Sequence, residues 1–408
     1  MKKTLLTICL TWMCFSLSAQ KIIDLSGKWS FSIDRQDNGE KEKWFSHTLN
    51  DCINLPGSMP EKLKGDEVTA KTQWTGSLYD SSYYYNPYME KYRKEGNIKF
   101  PFFLTPDKHY VGAAWYQKEV NIPADWKGER ILLFLERPHI ETTVWVNGQK
   151  TGMQNSLCVP HQYDITRYVR PGKCTITIRV DNRIKEINVG PDSHSITDQT
   201  QGNWNGIVGR ICLQTTPKTY FDDIQIYPEP EQKLARVKVV IKGAGITKIK
   251  LSAESFNTDK KHIVPAIQQE IKLNKGVTET EMVLPMGNDM LLWDEFHPAL
   301  YKLKAEVTNG KKTEIKEIQF GMRRFEIKGK WFYVNGRKTQ LRGTVENCDF
   351  PLIGYAPMDV ESWERVFRIC RSYGLNHMRF HSFCPPEAAF IAADRVGSVS
   401  YTHLRAQR

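Results

Sequence analysis

The stretch KCTITIRVDN alternates with a period of two: Cys174, Ile176, Ile178 and Val180 fall on one face, Thr175, Thr177 and Arg179 on the other. That pattern predicts a strand with one face turned to a core. Similar runs recur from about residue 21 to 220, in IDLSGKWSFSID, WYQKEVNIP, ERILLFLE and TTVWVNGQKTG, the last with an Asn-Gly hairpin turn. Short strands punctuated by Gly, Pro and Asn predict a sandwich or jelly roll over residues 20–220. One interruption breaks the rhythm. From Pro56 to about Tyr110 few runs alternate and aromatics crowd in, as in SLYDSSYYYNPYMEKY. Long loops inside a compact domain are usually functional or poorly ordered. These aromatic residues either hold a sugar ring or pack the excursion against the sandwich.

A second β unit covers residues 221–320. FDDIQIYPEP, ARVKVVIKG, KIKLSAES, EMVLP, YKLKAEVTNG and EIKEIQFG read as strands at close spacing, the size and rhythm of an immunoglobulin-like sandwich. From Asn335 the period changes. QLRGT predicts a short strand ending in a Gly turn. DVESWERVFRICRSYG predicts a helix with Asp359 as N-cap, Glu361 in the first turn and Gly374 as terminator. Its apolar stripe is Trp363, Val366, Phe367 and Cys370. LNHMRF reads as a second strand, and PPEAAFIAADRVG as a second helix opened by Pro385 and Pro386. Strand, helix, strand, helix with short links is a βαβα unit, which requires a parallel sheet and starts a barrel over residues 321–397. After Gly397 the remaining SVSYTHLRAQR, residues 398–408, shows no barrel-strand pattern.

The first twenty residues, MKKTLLTICLTWMCFSLSAQ, change the picture of where the protein works. Lys2 and Lys3, a short apolar core and small residues near Ser18 and Ala19 predict a secretory signal over 1–19, cleaved near Ala19–Gln20. The mature protein is expected to be secreted or periplasmic, without a membrane span. The net charge of +11 is spread among acidic residues rather than gathered in a stripe, which argues against nucleic acid as partner. Nine cysteines occur at irregular spacing without a CxxC, so the reading is buried free thiols rather than a disulfide framework or zinc site.

Candidate chemistry gathers at the strand ends of the last unit, where barrels carry their sites. Alternation along LNHMRFHS puts His377, Arg379 and His381 on one face and Asn376, Met378 and Phe380 on the other. Glu346 and Asn347 close the first strand at the same rim; the bland alternative is a buried Arg379–Glu346 ion pair. In QGNWNGIVGRI, Asn203, Trp204 and Asn205 either reach a neighbouring site or form a strand-entry turn around a buried tryptophan. No HExxH, Gly-rich phosphate loop or GxSxG turn occurs, so neither metal nor cofactor is expected.

In order along the chain, SGKWSFSID, AAWYQKEVNIP, VWVNGQKTG, YDIT, IRVDN, GIVGRICL, LLWDEFHPALYKLKAEV and FGMRRFEIKGKWFYVNGRKTQLRGT resemble glycoside hydrolase family 2, the β-galactosidase, β-glucuronidase and β-mannosidase family, over about residues 24–397. The resemblance implies a multidomain, mainly β protein: a jelly-roll sugar-binding-like domain, an immunoglobulin-like β-sandwich and the first two βα units of a truncated (β/α)8 TIM barrel. It implies retaining hydrolysis of O-glycosidic bonds by two glutamates about 5–5.5 Å apart. In the family both come from later barrel strands, so no catalytic residue is assigned here, neither Glu346 nor Glu387. Arg379 matches a floor arginine of the pocket. His381 and Ser382 stand where many relatives read Ser-His, so the histidine is displaced by one position. Asn203, with Trp204 beside it, matches a loop that touches substrate in relatives, and Glu346 and Asn347 occupy a loop where relatives carry His and Glu. The tail 398–408 resembles foreign sequence joined to an interrupted frame, the alternative being a genuine short protein. The implied partner is an oligo- or polysaccharide, with sugar, linkage and oligomeric state left open. The rival readings are a non-catalytic carbohydrate-binding β-sandwich protein and a purely structural one.

Overall fold

The computed structural model describes residues 20–73, 75, 85–99, 102–185, 193–198 and 200–402. The predicted signal and the first half of the tyrosine-rich run, residues 77–84, lie outside them. In the first β unit, one sheet orders Ile22–Asp24, Gly206–Thr216, Arg130–His139 and His161–Asp164. The facing sheet orders Gln149–Asn155, Glu141–Val146, Gly172–Asp181, Ala113–Ile122, Gly27–Asp34 and Asp51–Leu55. Cys174, Ile176, Ile178 and Val180 sit between the sheets as their alternation requires. The opposite face is buried as well: Thr177 is 1% and Arg179 7% exposed. The segment around Trp44–Ser46 folds over it, and Trp44 and Phe45 pack on Trp115 and Trp145. Arg179 stays charged there because Asp181, Asp37 and Glu141 surround it. The hairpin turn forms at Asn147 and Gly148, both at positive φ.

The second β unit departs from its predicted rhythm. ARVKVVIKG and KIKLSAES are one strand, Leu234–Phe256, paired along its length with Ile263–Pro285. Gly243 stands opposite Gly276 and the register shifts just beyond, between Gly243 and Gly245. Two glycines facing one another let the ladder bend without interrupting it. The first half of the long strand pairs Tyr220–Glu229, the second half Leu300–Asn309. Residues of both halves enclose one core that includes Val237, Ile249, Leu251 and Leu303.

A three-stranded antiparallel sheet, Phe325–Lys328, Trp331–Val334 and Arg337–Thr339, leads into the parallel unit. There β1 (Gly343–Glu346) pairs with β2 (His377–Phe380), and β2 with β3 (Val399–Thr402), all parallel. Helix α1 (Val360–Ser372) follows β1 and α2 (Glu387–Val396) follows β2. Asp359 caps α1 by accepting from the Ser362 amide at 2.7 Å. At the other end Gly374 has φ 76 and the Leu375 amide reaches back to the Cys370 carbonyl. Trp363 and Phe367 pack with Met378, Phe380 and the alanines of α2.

Two expectations are corrected here. Gly343 opens β1 rather than turning after it; a Cβ there would lie 2.6 Å from His377 Cδ2 across the pair. The stretch after Gly397 does form a strand. Val399 and Tyr401 alternate with serine and threonine, and β3 takes up the edge of β2, with the Val399 amide donating to the Asn376 carbonyl at 2.8 Å.

Candidate functional site

The parallel unit has two rims. At the lower one, where the strands begin, Arg342 and Asn376 exchange backbone and side-chain hydrogen bonds, the Asn376 Oδ1 accepting from the Arg342 amide at 2.8 Å. Glu295 of the second β unit accepts from Asn376 Nδ2 and from Arg342 Nη2. Trp293, 2% exposed, donates its indole N–H to the Asp394 carbonyl at 2.7 Å. Polar groups at this rim have partners supplied by the neighbouring sandwich.

At the upper rim, where the strands end, the partners come from the first β unit. Residues 193–198 and 200–205 approach the loops after β1 and β2. Ser193 Oγ donates to the Ser382 carbonyl at 3.2 Å, and Cys348 Sγ to Gln201 Oε1 at 2.6 Å. The His194 ring lies against the His381 ring, centroids 4.5 Å apart, with His381 Nδ1 3.2 Å from His194 Nε2. His194 Nδ1 is 3.1 Å from the Asn347 carbonyl.

The proton positions follow from that carbonyl, which can only accept. With both rings neutral, His194 carries its proton on Nδ1 and offers Nε2 as acceptor. His381 then donates from Nδ1. Its Nε2 is left with a lone pair available to a ligand hydroxyl.

Arg379 stands on the face of β2 that turns away from the helices, opposite Val345 of β1. Among the described residues it has no hydrogen-bond or ion-pair partner. His381 joins the rim through its amide, which donates to the Glu346 carbonyl at 2.9 Å.

Other candidates take different roles. Glu346 is in register with Phe380, so its side chain is on the helix-side face, opposite to Arg379. Its carboxylate accepts from the Cys348 amide at 2.8 Å, and burial pushes its pKa up. The Arg379–Glu346 ion pair is therefore absent, and Glu346 braces its own loop instead of facing the rim. Asn347 contributes its carbonyl to His194. Asn203 is engaged internally: Oδ1 accepts from His139 Nε2 at 3.0 Å, and Nδ2 donates to the Asn182 carbonyl at 2.7 Å. Trp204 is 3% exposed, stacked on His139 with centroids 4.5 Å apart and set against Tyr355 at 5.6 Å. Both belong to the support beneath the rim, the strand-entry reading of QGNWNG. Burial pulls the His139 pKa down to about 3, so its ring is neutral at neutral pH.

His194 was not legible as a site residue. A lone histidine in the polar run PDSHSITD carries no signal until the fold brings His381 to it. Among the described residues no group of three or more His, Cys, Asp or Glu side chains converges as a metal would require, and no helix is long and apolar enough to cross a membrane.

A jelly roll and a sandwich that together hold the opening of a parallel βα unit define a class of multidomain, mainly β proteins. The chain belongs to glycosyl hydrolases family 2. Residues 22–217 match the family's sugar binding domain and residues 219–323 its following domain. It is similar to a beta-galactosidase of Thermoanaerobacter pseudethanolicus, 24% identical over 76% of this chain and 41% of that one. It is also similar to the beta-glucuronidase of Homo sapiens, 23% identical over 92% of this chain and 56% of that one. Among solved structures, a glycosyl hydrolase family 2 member from Bacteroides cellulosilyticus shares the fold with a TM-score of 0.66 and 20% identity, over 93% of this chain and 47% of that one. The chain spans 36% of the length of one such relative and 58% of another.

Proposed function

We propose that the chain is the front portion of an exported, retaining glycosidase that hydrolyses O-glycosidic bonds, β-galactosidase-like, in carbohydrate metabolism. The observation that carries this reading is the upper rim, where the Arg379 guanidinium and the His381 Nε2 both keep hydrogen-bonding capacity for a hydroxyl-rich ligand. Family membership and the beta-galactosidase and beta-glucuronidase relatives support the reaction class. Retention needs a general acid/base and a nucleophilic carboxylate on either side of the bond. In this proposal later barrel strands supply both, and the residues at the present rim position the sugar rather than break the bond. The amino-terminal run of Lys2, Lys3 and the apolar core supports export.

The test is to express the reading frame continued past Gly397 and follow aryl β-galactosides and aryl β-glucuronides by NMR. First appearance of the β-anomer is expected. First appearance of the α-anomer, or binding of glycans without turnover, would overturn the retaining-hydrolase reading. The 408-residue chain alone is expected to give no turnover. N-terminal sequencing of the exported protein should begin near Gln20.

A further inference from the structure

At the end of the jelly roll remote from the parallel unit, two turns border a recess. In PADWKGER the short helical turn Ala124–Trp126 leaves the Trp126 side chain 3% exposed, while Lys127 and Gly128 stay in solvent, the glycine at φ 86. In ITRYVRPG, Val169 is buried and Arg170 exposed. Residues of both turns line a cavity of about 580 Å³, a volume within the range of small-molecule sites. Its floor is Ile122, Trp126, Ile131 and Val169, all buried. The strand Arg130–His139 sets it apart from the upper rim. Arg130 lines the cavity, and His139, which supports the rim, stands at the other end of those 10 residues, about 30 Å away.

The charges around the opening do not balance. The carboxylates there are already held: Asp125 by Lys21 at 2.5 Å, Glu129 by Lys312 at 2.6 Å and Asp164 by Arg130 at 2.8 Å. Lys127, Arg170 and Lys218 line the same cavity and are exposed. Among the described residues none of the three has a carboxylate partner, and Arg170 donates to the Arg167 and Val169 carbonyls of its own turn. We propose that this recess binds a small amphipathic anion: a flat apolar body lying on Trp126 and its neighbours, with one carboxylate or sulfonate held at the mouth by Lys127, Arg170 and Lys218.

A sugar ring presents hydroxyls on every side and needs polar partners around its edge. The floor, three aliphatic side chains and one indole, supplies almost none. It suits a body without hydroxyls, because water lying over it lacks hydrogen-bond partners and is released on binding. The unpaired cations then select the sign of the polar end. Being exposed, they act through a screened field, so their part is selectivity and salt dependence more than raw affinity.

The experiment titrates the purified chain with 2-naphthalenesulfonate by calorimetry at low ionic strength. One saturable site is expected, about tenfold weaker for the neutral 2-naphthalenemethanol and weakened for the sulfonate by about 0.5 M salt. The double variant Lys127→Glu, Lys218→Glu changes two exposed side chains and should keep the thermal midpoint. It should lose about tenfold or more in affinity for the sulfonate and come to prefer 2-naphthylmethylammonium. Arg379→Ala, at the upper rim, should bind the sulfonate as the unaltered chain does. Absence of saturable heat, equal affinity for the neutral analogue, no response to salt, or a loss in Arg379→Ala would each overturn the proposal. The neutral analogue and the salt series need no variant, so the proposal stays open to refutation if the double variant fails to fold. No turnover is measured, so the outcome is independent of the glycosidase reading.

Discussion

The two rims of the parallel unit are built from the same strands yet are finished in opposite ways. At the lower rim, Glu295 and Trp293 bring carboxylate and indole to Arg342, Asn376 and the end of α2. At the upper rim, Arg379 is left without a partner among the described residues, and the His194–His381 pair leaves a lone pair free. Arg379 and His381 are half-buried, so water can serve them where no protein group does, and nothing about stability requires this end to be fastened as the other is. Under the proposed function the difference separates a rim that fastens from one that binds, the division expected of a βα barrel's two faces.

The largest effect should come from the lower rim. Trp293→Ala removes a fully packed indole and the bond to Asp394, and should lower unfolding stability by about 3–5 kcal/mol. Urea titration would measure the loss, and limited proteolysis should cut first between Gly343 and Gly397. A loss below about 1 kcal/mol would break the comparison, since the lower rim would then not be the fastening one. Arg379→Ala should do the reverse. With no partner to orphan, it should change stability by less than about 0.5 kcal/mol. In a protein with the complete barrel it should reduce kcat/KM by roughly 100-fold.

How much of this could be read in advance follows from the distance over which each pattern acts. The Gly172–Asp181 strand, the Asn147-Gly148 turn and α1 with its Asp359 cap were legible because alternation, turn chemistry and capping are local. The 23-residue strand was not, because Gly243 reads as a stop until Gly276 is seen opposite. The site was half legible. Arg379 and His381 follow from the period of one strand. Glu346 was placed at the rim but its face was not legible, because the register of a parallel pair is set by neighbours that a single segment does not reveal. Asn203 and Trp204 look like ligand residues in sequence, yet His139, far upstream, takes up both.

Acid should act on the upper rim through that histidine. The His139 pKa is lowered, mainly by burial, from an ordinary 6.5 to about 3. Between those values the unfolded chain binds a proton that the folded chain excludes. Stability is therefore full above about pH 6.5 and falls as the pH drops toward 3, by roughly 2 kcal/mol at pH 5 from this group. Urea midpoints at pH 7 and pH 5 would measure the slope. His139→Phe, which keeps the ring against Trp204, should flatten it. An unchanged slope in that variant would remove His139 as the acid-sensitive support of the rim.

The smallest and sharpest effect concerns His194. It lies against the His381 ring and the Asn347 carbonyl, both on connecting loops, and His194→Ala should cost less than about 1 kcal/mol. Its consequence should be electronic. While the Asn347 carbonyl holds the His194 proton on Nδ1, His381 must keep its own proton on Nδ1. Removing His194 frees His381 to exchange tautomers with solvent, with only Ser382 Oγ at 3.3 Å beside Nδ1. Imidazole nitrogen-15 shifts at neutral pH should therefore show a protonated Nδ1 and bare Nε2 for His381 in the unaltered chain, and a mixture in the variant. A protonated Nε2 in the unaltered chain would reverse the donor sense of the relay. His381 would then present a donor instead of an acceptor at the rim, and the contrast with the lower rim would rest on Arg379 alone.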